Sequence, residues 1–142
     1  MLKLSTITER KRRLLFAIFA VVDVGFIAYW LISLFDLVPA EYLYSNYQVP
    51  TIVDWNWSFL PLDLLISVTG LSSIALFRRG YQEWQSIALI SLILTIASGL
   101  QAISFWAIRM EFDVIWWGFN LFLMVYPLAF VANLIGNKPR QP

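Results

Sequence analysis

Four runs of apolar residues, each about as long as a membrane-spanning helix, constrain this chain more than any other feature of its sequence. A helix needs about 20 apolar residues to cross the hydrocarbon core of a bilayer. The runs cover residues 14–35, 57–77, 85–108 and 114–135. Hydrophobic residues make up 60% of the chain and charged residues 13%, which is unlike a soluble domain. The sequence therefore predicts an all-α, polytopic membrane protein, a single domain of four transmembrane helices in an antiparallel bundle.

Basic residues indicate which connections lie in the cytoplasm, because short cytoplasmic loops carry an excess of Lys and Arg. Nine of the 10 basic residues precede the first run, separate the second from the third, or follow the fourth: Lys3, Arg10, Lys11, Arg12, Arg13, Arg78, Arg79, Lys138 and Arg140. We therefore expect a multi-pass cell-membrane protein with both termini in the cytoplasm. The same asymmetry accounts for the positive charge of the chain, so no nucleic-acid partner is expected.

Two missing residue types exclude several familiar chemistries. The chain contains 0 Cys and 0 His. Disulfides, thiolate catalysis, Ser-His-Asp chemistry and haem ligation by His are therefore excluded. We accordingly expect no cofactor and no metal site, and a binding role is favoured over a catalytic one.

The only long connection between the predicted helices covers residues 36–56. It carries acidic residues but no basic one, and it is rich in Tyr and Trp, which settle at the headgroup level of a bilayer. We expect this segment to lie on the outer membrane surface as a lid over the helix ends, with Asp36, Glu41, Tyr42 and Trp55 as its lid residues. A plain interfacial anchor is the alternative interpretation.

Polar side chains inside the predicted spans are the candidates for a functional site. A charge at the bilayer centre costs about 2.5 to 3.5 kcal/mol on insertion scales, and such residues usually face the bundle interior. Asp23 lies near the middle of the first span, whereas Asp63, Gln101 and Asn120 lie in the outer halves of the other spans. The spans contain no basic residue that neutralises these acids, so we expect Asp23 to be protonated at rest.

Helical spacing gives each predicted span one polar or small-residue stripe. If these stripes face the interior of the bundle, they line a pocket that opens toward the outer side of the membrane. Aromatic side chains form its walls, and the faces of aromatic rings attract cations. The candidate ligand-binding residues are Asp23, Trp30, Asp63, Gln101, Trp116 and Asn120. The predicted ligand is a hydrophobic or cationic small molecule. An acid that releases and takes back a proton is one means of coupling proton movement to the binding or transport of this ligand. Close helix packing explains the small residues of these stripes equally well.

A resemblance to a known family is found in the segments VVDVGFIAYWLIS, VPAEYLY and WNWSFLPLDLLISVTG. They resemble the small uncharacterised four-helix membrane proteins of bacilli, the YvaD-like family, and the resemblance covers residues 14–135. It implies the four-helix topology and a bacterial cell membrane, but no activity.

A more remote similarity in arrangement connects the chain with the emopamil-binding and sigma-2-receptor-like (EXPERA) membrane proteins. It lies in LVPAEYLY after the first span, a carboxylate early in the second and a proline within the fourth. Those proteins bind amphiphilic cations or sterols beside intramembrane acids, and some isomerise a sterol double bond. The similarity implies that Asp36 or Glu41, together with Asp63, faces a ligand. The absence of His and a different loop spacing count against a shared isomerase activity.

Three classes of function remain open. The first is a binding or transport module for a hydrophobic or cationic molecule. The second is an enzyme acting on a lipid or sterol, with Asp23 or Asp63 as general acid and base. The third is an accessory or assembly subunit of a membrane complex, whose polar stripes are partner surfaces. At 142 residues the chain is small for a complete transporter, which makes a homodimer plausible under the first class.

Overall fold

A computed structural model of the protein describes residues 7–135. Its helices are α1 (Glu9–Leu34), α2 (Pro50–Ser58), α3 (Leu60–Arg78), α4 (Trp84–Ile108) and α5 (Val114–Ile135), with one 3-10 turn at Ala40–Tyr42. Taking α2 and α3 together, four helices are long and apolar enough to cross a membrane. No strand occurs within 7–135, so the predicted all-α, four-helix fold is confirmed. Three of the basic residues from which the topology is predicted lie outside the described residues: Lys3, Lys138 and Arg140.

The first helix begins earlier than its apolar run, because the basic residues before the run are good helix formers. Thr8 caps the helix, and its side-chain oxygen accepts from the Lys11 backbone N–H at 3.4 Å. Glu9 and Arg13, one turn apart, form an exposed ion pair with N and O atoms 2.5 Å apart. The charged start of α1 is thus a continuous part of the helix.

The 36–56 segment also differs from the expected loop, since its last part is helical. Pro50 begins α2 as one of its first residues, where its fixed φ angle favours a helix and its missing N–H has no helical partner to lose. After Ser58 the chain continues almost without interruption into α3, and the Asp63 backbone N–H donates to the Phe59 carbonyl oxygen at 2.9 Å. The second predicted span therefore carries a helical extension.

The long helices pack in the order α1, α3, α4, α5, with α1 against α3, α3 against α4, and α4 against α5. The expected antiparallel hairpin of α4 and α5 is the most extensive of these contacts. Within the described part of the chain, α1 and α5 are not among the closely packed pairs. Their aromatic contact is Phe26 against Phe119, edge to face with ring centroids 6.3 Å apart. The backbones of α1 and α5 are therefore less closely packed than those of the other neighbouring helices, while side chains of both helices share one buried apolar core.

The bundle has two ends that differ in their segments. The terminal end carries the start of α1, the turn between α3 and α4, and the end of α5, and the loop end carries the 36–56 segment and the turn between α4 and α5. At the loop end, Tyr44, Ile52 and Trp106 form a buried apolar cluster. Trp55 stacks on Phe105 with ring centroids 4.2 Å apart. The 36–56 segment is consequently packed against α4.

Candidate functional site

A cavity of about 630 Å³ lies at the loop end of the bundle. Small-molecule sites in proteins typically span about 300 to 1,000 Å³. All four membrane-length helices and the 36–56 segment contribute to its walls. Of the residues named from the sequence, the lining includes Trp30, Glu41, Tyr42, Trp55, Asp63, Trp116 and Asn120. The structure thus brings most of the candidate residues to one space, and their role as ligand contacts stays a prediction.

Asp63 is the buried acid of this cavity. Its side chain lies one turn into α3, and the residue is only 5% exposed. Trp30 Nε1 donates to one carboxyl oxygen at 3.0 Å, and Ser98 Oγ donates to the other at 3.3 Å. Helices α1 and α4 thereby hold the carboxyl group with two neutral donors. Among residues 7–135, no cation forms an ion pair with it.

Two further acids lie at the mouth of the cavity, Glu41 and Asp113, and both are exposed. Asp113 caps α5, because its Oδ1 accepts from the Trp116 backbone N–H at 2.8 Å. Arg109 is the basic residue at this end, and it pairs with Glu111 at 2.8 Å. Within the described chain no Lys or Arg lines the cavity, and its acidic lining residues are Glu41, Asp63 and Asp113.

Aromatic side chains form much of the cavity wall. They are Phe26, Tyr29, Trp30, Tyr42, Tyr44, Trp55, Phe59, Trp116, Phe119 and Phe122. Tyr29 packs edge to face on Trp30 at 5.0 Å between centroids, and its hydroxyl donates to Asn56 Oδ1 at 3.1 Å. Burial raises the pKa of the Tyr44 hydroxyl above its ordinary value. The surface offered to a ligand is therefore apolar and aromatic, with carboxylates at the bottom and mouth.

Asp23 does not line the cavity, although the sequence analysis placed it in the ligand site. It is 0% exposed, and its carboxyl group packs against Gly70 of α3 and close to Ser91 of α4. Phe26, which lines the cavity, lies one helical turn nearer the loop end on the same face of α1. Neither carboxyl oxygen has a hydrogen-bond partner among residues 7–135. Asp23 is thus sealed below the site.

Gln101 and Asp36 also lie outside the cavity lining, and both side chains are exposed. The buried stripe of α4 runs through Thr95, Ser98 and Ala102, so Gln101 points away from it. Asp36 follows the end of α1 with φ at +48°, a left-handed backbone conformation that turns the chain away from the helix axis. These two predicted site residues are therefore not brought together with Asp63.

Several lining residues were not proposed as ligand contacts from the sequence, among them Asp113, Asn56 and Ser98. Asp113 had a usable signal, because an acid directly before an apolar run is a typical helix cap. Asn56 had none, since its burial depends on the helical extension α2. Its Nδ2 is buried without a hydrogen-bond partner in the described structure, so the cavity wall offers one free donor.

The cavity opens sideways between α1 and α5. Val21 and Gly25 of α1 and Ile115, Phe119 and Phe122 of α5 line it and are also exposed. A Cβ built on Gly25 meets no described atom within 4 Å. In a bilayer, this side of the bundle would contact lipid chains.

Comparison with known proteins establishes the family of the chain. Residues 15–141 match the model of a family of unknown function, DUF5360. The "Uncharacterized protein YvaD" of Bacillus subtilis (strain 168) is 49% identical over 125 residues, which are 87% of this chain and 94% of that protein. No solved structure is significantly similar to the chain. The resemblance to the YvaD-like family is confirmed, whereas the EXPERA similarity stays a prediction. The chain belongs to the DUF5360 family.

Proposed function

We propose that the protein binds a hydrophobic cation in the loop-end cavity, with Asp63 as its counter-charge. The observation that carries the proposal is a buried carboxyl group with two neutral donors and no cationic partner within 7–135, on the wall of a cavity. A buried charge is stable only when paired or well hydrogen-bonded. A ligand cation beside Asp63 supplies the missing charge.

The walls favour the same class of ligand. Indole and phenol rings attract cations through their faces, at about 0.5 to 2 kcal/mol for each contact. Trp30, Trp116 and Tyr29 line the cavity near Asp63 or Asn120. The gap between α1 and α5 accommodates an apolar body at the depth of the hydrocarbon. The ligand is thus a cation with substantial apolar surface.

The proposal concerns binding. Proton-coupled transport, an EXPERA-like isomerase activity and a role as an assembly subunit stay predictions of the sequence. An isomerase requires a second group to exchange a proton with the substrate, and beside Asp63 the described lining offers exposed Glu41 and Asp113 and three tyrosine hydroxyls.

The test uses purified full-length protein with tetraphenylphosphonium as the cationic probe and triphenylphosphine oxide as a neutral analogue. Thermal stabilisation and equilibrium titration measure binding. We expect binding of the cation, and at least about tenfold weaker binding by Asp63→Asn, equivalent to about 1.4 kcal/mol. Asp23→Asn is the matched control for a buried acid outside the cavity, and Asp54→Asn is the control for an exposed acid.

Two results contradict the proposal. The first is equal stabilisation by the cation and its neutral analogue, and the second is unchanged cation binding by Asp63→Asn. If the unliganded Asp63→Asn variant unfolds, Asp113→Asn and Glu41→Gln replace it, because each removes a cavity charge from an exposed position. These two variants then must weaken cation binding, and Asp113→Asn keeps a side-chain oxygen that can cap α5 in place of the carboxylate.

A further inference from the structure

A second concave surface lies at the terminal end of the bundle, far along α3 from Asp63. It is a groove of about 390 Å³ between α1 and α3, lined by Ala20, Leu71, Ile74, Ala75, Arg78 and Arg79. We call it the α1–α3 groove. Leu71 to Arg79 is a helical rise of about 12 Å, which matches a substantial part of an acyl chain. Ala20 and Ala75 have small side chains that leave room for a ligand, and Arg78 and Arg79 lie at one end of the groove.

The arginines of the α1–α3 groove are free to bind an anion. Arg78 and Arg79 are exposed, and the ion pairs found among residues 7–135 involve other arginines, Arg13 and Arg109. Glu83, the nearest acid in sequence, is exposed and forms no ion pair in the described chain. Arg78 and Arg79 both line the groove without an acidic partner in the described chain, and a phosphate accepts several hydrogen bonds from guanidinium groups at once.

Other basic residues at the same end add to this field. The guanidinium of Arg12 lies 4.3 Å from the ring centroid of Phe77, next to Arg78 in α3. Lys11 Nζ donates to the neutral Asn133 Oδ1 at 3.0 Å and forms no ion pair in the described chain. Basic pockets between membrane helices bind anionic lipid headgroups, and each Lys or Arg near such a surface strengthens the attraction.

We propose that the α1–α3 groove binds an anionic phospholipid, with its phosphate on Arg78 and Arg79 and an acyl chain along Ala20, Leu71 and Ala75. The apolar floor and the cationic end occur in the order in which such a lipid presents its chain and headgroup to a membrane protein. A zwitterionic lipid has the same chain but lacks the net negative charge. This site is independent of the loop-end cavity and does not rest on the function proposed for it.

The experiment measures the melting temperature of detergent-purified full-length protein as lipid is added. Phosphatidylglycerol and phosphatidylcholine with identical acyl chains are compared, and inorganic phosphate tests whether the headgroup chemistry alone is sufficient. We expect stabilisation by phosphatidylglycerol only. The double variant Arg78→Gln/Arg79→Gln should weaken the apparent affinity for this lipid by about tenfold or more.

The matched control is Arg10→Gln/Arg13→Gln, which removes the same charge from the same end but outside the groove. It should retain most of the stabilisation by phosphatidylglycerol. Ala75→Leu fills the groove at an exposed position while both arginines remain, and it should abolish the stabilisation.

Four outcomes overturn the proposal. Equal stabilisation by phosphatidylcholine removes the role of charge, and stabilisation by inorganic phosphate alone removes the role of the chain. If Arg10→Gln/Arg13→Gln loses as much stabilisation by phosphatidylglycerol as the Arg78/Arg79 variant does, the stabilisation comes from general surface charge and not from the groove. A dimer that forms without added lipid and dissociates in Ala75→Leu assigns the groove to a second copy of the chain.

Discussion

Asp23 and Asp63 are chemically identical acids whose surroundings differ completely. Asp63 lies on a cavity wall and accepts hydrogen bonds from Trp30 and Ser98. Asp23 is enclosed by α1, α3 and α4, and Ser67 Oγ donates to its backbone carbonyl oxygen at 2.9 Å but not to its carboxyl group. The difference supports the proposal that Asp63 is the counter-charge, whereas Asp23 packs against Gly70 outside the cavity lining.

Gly70→Ala tests this packing at the scale of a single residue. An ideal Cβ at Gly70 collides with Oδ2 and Cγ of Asp23, whose short side chain has little freedom to move away. We expect a loss of about 1 to 3 kcal/mol in unfolding free energy from overpacking. Chemical unfolding in detergent measures it.

The double variant Gly70→Ala/Asp23→Ala supplies the control, because the second change removes the colliding atoms. It should be more stable than the sum of the two single changes predicts, as expected for residues in direct contact. Simple additivity of the two changes would show that Asp23 does not occupy the space beside Gly70.

At the scale of the helices, close approach of α4 and α5 depends on another glycine. A Cβ at Gly99 would lie 2.6 Å from the Asn120 carbonyl oxygen and 3.0 Å from the Met124 backbone N. These atoms belong to the backbone of α5, so the helix as a whole must shift to accommodate a larger residue. Small residues are the usual means by which membrane helices pack closely. Gly99 thereby helps to place Asn120 on the cavity wall.

Gly99→Ala should therefore separate α4 from α5 and lower the unfolding free energy by about 1 to 3 kcal/mol. Gly118→Ala is the matched control on α5, because its added Cβ meets no described atom within 4 Å. Replacing a helical glycine of this kind should stabilise the protein by about 0.5 to 1 kcal/mol. Thermal unfolding of both variants measures the difference, and equal effects of the two changes would contradict this role of Gly99.

For the whole molecule, the sequential packing order has a direct consequence for access. A bundle in which the last helix closed on the first would enclose the loop-end cavity, whereas here α1 and α5 leave it open at the side. The two ends also differ in charge. The described basic residues at the terminal end include Arg10, Arg78 and Arg79, and acidic Glu41 and Asp113 lie at the loop end. The molecule is therefore polarised along the direction in which it would cross a bilayer.

Cysteine labelling tests the orientation expected from this polarity. The chain contains 0 Cys, so a single introduced thiol reports one position unambiguously. Gln48→Cys lies at the loop end and Gln82→Cys at the terminal end, and both positions are exposed. In intact cells, a membrane-impermeant maleimide should label Gln48→Cys at once and Gln82→Cys only after permeabilisation. The reverse pattern would place the termini outside the cell.

The sequence by itself determined the number of spans and their approximate ends, because hydropathy and helix length are properties of consecutive residues. The same local reasoning found the acids and aromatics that line the cavity, such as Asp63 and Trp116. It placed the start of α1 too late in the chain, since it followed the apolar residues and not the helix-forming basic ones before them.

Only the tertiary structure decided which polar residues meet. From the sequence, Asp23 and Gln101 are as good candidates for a site as Asp63, but Asp23 is buried against Gly70 and Gln101 is exposed on α4. The helical extension α2, which brings Asn56 to the cavity, is likewise fixed by contacts with distant residues. The physical reason is that the rotation of each helix and the order of its neighbours are set by side-chain packing between segments far apart in sequence, which no local pattern contains.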